Sequence, residues 1–285
     1  MQILATTDFS TRSNRALRQA GLLAQQTGAK LHILHVVDDD QPEELVRMEK
    51  REAERLLAEQ MVSMPELKAV DSRPLAVTGD PFDGILRTAA DIGAGLVVMG
   101  SHRRQLLLDI FVGTTIERVI RKSTVPVLMV NNEAQRTYER VLAPVDLSDA
   151  SAHALKAALA MGLITAERTA LVHAFLSVAK GRLWSDQASI DSYVASERRR
   201  AMDELAAFLV AHDLGAGGWS LRIEEGGAME IISRAVSDAR PDLLVMGTHA
   251  RSSVVKALIG SVTEEALRSL SVDILAVPPP SPSNA

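Results

Sequence analysis

The sequence predicts a tandem of two α/β domains, each a five-stranded parallel sheet with helices on both faces. Three observations carry that prediction. The chain repeats itself: residues 79–130 align with residues 226–277 at a constant shift of 147, so that Gly100 falls on Gly247, His102 on His249, Gly113 on Gly260 and Glu117 on Glu264. The front halves align at a shift of 138, which sets residues 3–10 on 141–148 and His35 on His173, so the second copy carries nine extra residues in its middle. A fixed internal period marks a duplicated unit, and one of about 140 residues is domain-sized. Within each copy apolar runs alternate with helical patterns, the signature of right-handed βαβ units. The runs are also apolar throughout, as in LVVMG and LLVMG, which suits strands covered on both faces.

The elements of the first copy follow in order. Residues 3–7 are a short apolar strand. Ser10 caps a helix whose apolar positions Ala16, Leu17, Ala20, Leu23 and Ala24 recur at helical spacing. Residues 31–37 form the second strand, and Pro42 opens a charged helix to about Met61 whose Glu-to-Arg/Lys spacings suit a solvated face. Residues 74–78 are a third strand, and Pro81 sits just inside the start of a helix to about Ile92, a favoured place for proline. Residues 96–99 are the fourth strand, 112–122 the last helix and 126–130 the last strand. The second copy repeats this between Val141 and Val277. The domains therefore span 1–131 and 139–278, with polar residues 131–139 as linker. Most of the extra length, residues 177–192 with Trp184, reads as a partly exposed helix and its lead-in. The tail, 279–285, is too rich in Pro and Ser to pack a core and is expected to be disordered.

Composition narrows the function. At 285 residues and 47% hydrophobic, the chain can bury two ordinary cores. A net charge of −5 argues against a general nucleic-acid binder, which needs a basic face. The lack of cysteine removes disulfides and thiolate chemistry. No run reaches the length of a membrane span, and the N-terminus starts on a strand-like run rather than a leader, so a cytoplasmic location is the expectation. There is no GxxxxGK[ST], GxGxxG or HExxH, and His35 and His173 read as satisfied strand-end residues.

Two places remain for chemistry. After the fourth strand, nine residues separate Gly100-Ser-His102-Arg103 from Gly113-Thr114, and nine separate Gly247-Thr-His249-Ala250 from Gly260-Ser261. A glycine leaving the C-terminal end of a parallel strand lies where such sheets take ligands. A second glycine opening a helix offers free N–H groups to an anion. Both glycines also fit plain turn and cap roles. At the end of the first strand, Asp8 and Asp146 are placed either to accept a hydrogen bond from a ligand or to cap the next helix.

These motifs together resemble the universal stress protein family of UspA type, across nearly the whole chain and twice. The resemblance implies an adenine nucleotide alpha-hydrolase-like fold with strand order 3-2-1-4-5, in a family in which some members bind ATP and others do not. It implies a stress-response protein that is not an enzyme, a slow ATPase being left open, with ATP as ligand and Mg²⁺ admitted beside it. In the second copy the site would use Asp146, Gly247, His249, Gly260, Ser261, Val262 and Thr263. In the first it would use Asp8, Val37, Gly100, Gly113, Thr114 and Thr115. Both copies depart from the family's second glycine, which is Arg103 in one and Ala250 in the other. Phe175 stands where the first copy has Val37, which would narrow the second pocket. The milder replacement makes the second copy the favoured binder. The alternative is a scaffold or interaction module with degenerate sites. The resemblance further implies a pseudo-dimer of the two domains through residues 126–130 and 273–277. It leaves open the association of two whole chains.

Overall fold

The computed structural model describes residues 1–101, 114–177, 187–215, 217–248 and 259–280. Contacts group Met1–Thr137, together with the segment from Ser271, as one compact unit, and Tyr138–Leu270 as a second.

The first unit contains β1 (Gln2–Thr6), α1 (Thr11–Thr27), β2 (Lys30–Val37), α2 (Glu43–Ser63), β3 (Ser72–Thr78), α3 (Pro81–Asp91), β4 (Leu96–Gly100), α4 (Thr115–Lys122) and β5 (Val127–Val130). Its strands run β3-β2-β1-β4-β5, all parallel, with β1 registered Ile3 to Leu31 on one side and Ile3 to Leu96 on the other. The second unit contains β6 (Val141–Pro144), α5 (Asp149–Ala160), β7 (Thr169–Phe175), α6 (Gln187–Ala211), β8 (Ser220–Glu225), α7 (Ala228–Ala239), β9 (Leu243–Gly247) and α8 (Ser261–Ser269). Its strands run β8-β7-β6-β9, again parallel.

The last strand, β10 (Asp273–Val277), pairs with β5, the two strands that the sequence expects to meet. It runs antiparallel against β5, with Ile274 facing Met129, Leu275 facing Leu128 and Ala276 facing Val127. The pairing satisfies the row of backbone groups that β5 would otherwise present as an open edge. Asp273, buried to 3% exposure, fastens the join by accepting hydrogen bonds from the backbone N–H groups of Asn131 (2.8 Å) and Asn132 (2.9 Å).

The strands are buried because helices cover them. Ile3, Leu4, Leu31, Ile33, Leu34, Leu96 and Leu128 have no exposure at all. Each such side chain contributes about 1.5–3 kcal/mol by leaving water. α1 presents Ala16, Leu17, Ala20, Leu23 and Ala24 to the sheet, the face its spacing predicts, and stops at Gly28, whose φ of 65° is the left-handed cap glycine accepts without strain. Within each unit, the C-terminal ends of the strands and the first turns of the following helices lie at one edge of its sheet.

Candidate functional site

At that edge of the first unit, between β1 and β4, lies a cavity of about 350 Å³. This is the point where the strand order reverses direction, the crevice in which open α/β sheets take ligands. Its wall is built from the starts of three helices. α1 supplies Ser10, Arg12 and Ser13, α3 supplies Pro81, and α4 begins with Thr114 and Thr115. Leu34, Val36, Ile85 and Met99 make an apolar side.

The β1–α1 turn is set by its sequence. Phe9 sits at a φ of 61°, a left-handed conformation held in place by hydrogen bonds on either side. The Phe9 N–H donates to Thr7 Oγ1 at 3.0 Å and the Ser10 N–H to Asp8 Oδ1 at 3.0 Å. Ser10 then caps α1, its Oγ accepting the Ser13 N–H at 3.3 Å. Burial pushes the Asp8 carboxyl up, but hydrogen bonds from Ser10 and Ser13 together outweigh it and hold Asp8 below the usual carboxylate value. Asp8 is therefore a carboxylate at neutral pH. It braces the turn and also lines the cavity.

The second unit repeats the turn, with Leu147 also at a φ of 61°. Its carboxylate is tied to the turn in the same way. Asp146 Oδ1 accepts from the Ser148 N–H at 3.1 Å, from Ser148 Oγ, and from Ser151 Oγ at 2.6 Å. Asp146, Gly247, Gly260, Ser261, Val262 and Thr263 surround one cavity, which holds only about 150 Å³. Thr263 directs its hydroxyl hydrogen to the Gly247 carbonyl at 2.8 Å, and the Gly260 N–H donates to the Thr248 carbonyl at 2.7 Å. Both bonds tie α8 back to the end of β9.

In the first unit Asp8, Gly100, Thr114 and Thr115 come together as expected. Val37 does not join them. It is buried against Val46 and Ala53, with Phe9 and Ala76 packed beside it. Adjacent strand residues point to opposite faces, so a one-residue step moves a side chain from the cavity into the core. Val36 lines the cavity instead, and Ala174 does so in the second unit. Phe175 therefore leaves the second cavity clear. It lines a separate open groove with Val194 and Ile223. His102, Arg103, Gly113, His249 and Ala250 lie outside the described residues.

The first motif glycine has a packing cause. A Cβ on Gly100 would stand 2.7 Å from the Arg12 carbonyl oxygen and 3.0 Å from the Ser13 nitrogen. On Gly247 it would stand 3.0 Å from the Ala150 carbonyl oxygen. The missing side chain lets β4 and α1, and likewise β9 and α5, approach backbone to backbone. His35 and His173 each donate from Nδ1 to a strand-end carbonyl, Thr7 O and Val145 O, at 2.8 Å, as satisfied strand-end residues do. Among the described residues, no group of three or more His, Asp or Glu side chains is arranged to hold a metal ion, and no helix is long and apolar enough to cross a membrane.

Arg12 is a wall residue that sequence reasoning missed. The available signal was a basic residue in the first turn of a helix, against the dipole, where acidic residues are favoured. Pro81 was noted only as a helix start. Only the fold sets it on the wall of the same cavity as Asp8.

Comparison with known proteins agrees with this architecture. A model of the universal stress protein family matches the chain twice, over residues 1–131 and 137–278. The chain is similar to a universal stress protein of Methanocaldococcus jannaschii, 26% identical over an alignment of 154 residues that covers 46% of this chain and 95% of that protein. It is also similar to one of Thermus aquaticus, 30% identical over 135 residues, covering 45% of this chain and 96% of that one. Among solved structures, a universal stress protein from Archaeoglobus fulgidus matches at a TM-score of 0.68, covering 97% of this chain and 98% of its own, at 20% identity. At that identity the likeness speaks to the fold alone.

Proposed function

Because this chain belongs to the universal stress protein family, we propose that it is a stress-response protein that binds an adenine nucleotide, ATP, as a regulatory ligand in its first unit. The observation that carries this reading is the cavity of about 350 Å³ between β1 and β4, with three helix starts in its wall. Small-molecule sites typically enclose about 300–1,000 Å³. The first cavity falls within that range, and the second, at about 150 Å³, falls below it. The sequence favours the second copy on the strength of its milder glycine replacement; the cavities favour the first.

The fit to a nucleotide is chemical as well as volumetric. Val36 and Met99 offer an apolar side for a base, Asp8 an acceptor for an amine or sugar hydroxyl, and the first turns of α1 and α4 their N–H groups for phosphate. The ligand is regulatory in this reading because Asp8 is tied to its own turn as a stable carboxylate, a poor start for a general base.

For the second unit the scaffold reading is the better supported. Its cavity is the smaller of the two, and the Thr263 hydroxyl is committed to a backbone carbonyl. Calorimetric titration of ATP into nucleotide-stripped protein tests both assignments. Asp8→Ala weakens binding and Asp146→Ala leaves it intact. Absence of binding by the unmodified protein overturns the nucleotide reading. Loss with Asp146→Ala alone moves the site to the second unit.

A further inference from the structure

Arg12 lines the first cavity from the second position of α1. It is half-buried, and it makes no ion pair or hydrogen bond among the described residues. A half-buried guanidinium ordinarily acquires a carboxylate partner, because its five N–H donors are costly to leave unmatched. Its place on the helix is also unfavourable. The first turn of α1 contains no acidic residue, so the positive end of the helix faces a positive side chain.

The duplicated copy makes a control. Under the shift of 138, Thr11-Arg12 falls on Asp149-Ala150. The first helical turn therefore carries a net charge of +1 in one copy and −1 in the other. The second copy obeys the dipole rule, with Asp149 in the first turn of α5. A local rule broken in only one of two copies, at a residue facing a cavity, points to a ligand that offsets the cost.

We infer that Arg12 is the specificity-determining residue of the first cavity, pairing with a phosphate group of the bound ligand so that the site selects phosphorylated over unphosphorylated adenosine. This rests on the nucleotide reading of that cavity. Arg12 would act as a charge-assisted donor beside the N–H groups of α4, with Thr115 and Gly100 on the same wall.

The test is calorimetric titration of the full, nucleotide-stripped chain with adenosine, AMP, ADP and ATP. Arg12→Ala is expected to weaken the phosphorylated ligands by roughly tenfold or more and to leave adenosine unchanged. Arg12→Lys, which keeps the charge but not the fork, recovers part of the loss. The thermal midpoint of Arg12→Ala stays level or rises, since a cation leaves the helix start. An equal loss for adenosine and ATP, or no loss for either, overturns the role of Arg12 while leaving the nucleotide site standing. Absence of binding of all four ligands to the unmodified protein overturns both.

Discussion

Replacing Gly100 with alanine separates packing from ligand binding at the first motif glycine. The added methyl would lie 2.7 Å from the Arg12 carbonyl oxygen, 2.8 Å from the Arg12 carbonyl carbon and 3.0 Å from the Ser13 nitrogen. All three are backbone atoms of a helix whose cap and first turn are hydrogen-bonded, so no side-chain rotation relieves the contact. Overpacking of this kind costs about 1–3 kcal/mol. Alanine at an unstrained position recovers about 0.4–1 kcal/mol by restricting the unfolded chain. The net expectation is a loss of about 1–2 kcal/mol, or about 2–4 °C of thermal midpoint for each kcal/mol in a domain of this size. At Gly247 the distances to Ala150 are 3.0 Å to oxygen and 3.2 Å to carbon, so Gly247→Ala is expected to cost less than half as much. Urea unfolding of both variants reads the difference. A Gly100→Ala protein as stable as the parent, with ligand binding lost, would refute the packing account and return the glycine to a purely ligand-facing role.

Three further outcomes follow from the same geometry. His32 is buried, donates from Nε2 to Gln2 Oε1 at 2.8 Å and has an unpartnered Nδ1, and burial, with Arg73 adding to it, holds its pKa below the ordinary value. The unfolded ring takes up a proton below about pH 6.5 that the folded ring refuses, so this stability is full above that pH and is lost as pH falls below it. His32→Leu should flatten the urea midpoint between pH 7 and 5, and an unchanged slope would count against the assignment. Leu147 is held at a φ of 61°, so Leu147→Gly should change stability by less than about 1 kcal/mol while Leu147→Val, β-branched, costs clearly more; equal costs in thermal unfolding would deny that the backbone is strained there. Ser10→Ala removes the acceptor for the Ser13 N–H and should cost about 1 kcal/mol, whereas no change in the denaturation midpoint would mean that the α1 cap contributes nothing.

The fold was legible because its signals are local and were written twice. Apolar runs mark β1, β4 and β9, helical spacing marks the buried face of α1, and the repeat supplies a second reading of each. The site was legible in part. Asp8, Gly100, Thr114 and Thr115 could be gathered from their positions at strand and helix ends. The Val37 side chain packs into the core, and alternation along a strand wholly apolar on both sides leaves no polar marker of which face meets the cavity. Arg12 takes its meaning from the cavity it lines and from having no ion pair or hydrogen bond among the described residues, neither of which linear order displays.

By itself, then, the sequence determined that the protein is two copies of one α/β unit, which apolar runs build the strands, and where helices such as α1 and α3 begin. Those properties depend on neighbours within a few positions and on a pattern that duplication preserves. The tertiary structure decided that β10 completes its ladder antiparallel to β5, that the first cavity is the larger, and that Gly100 is a glycine because a helix backbone lies against it. These depend on contacts between residues far apart in the chain, where differences of a few tenths of an ångström separate a packed wall from an open one.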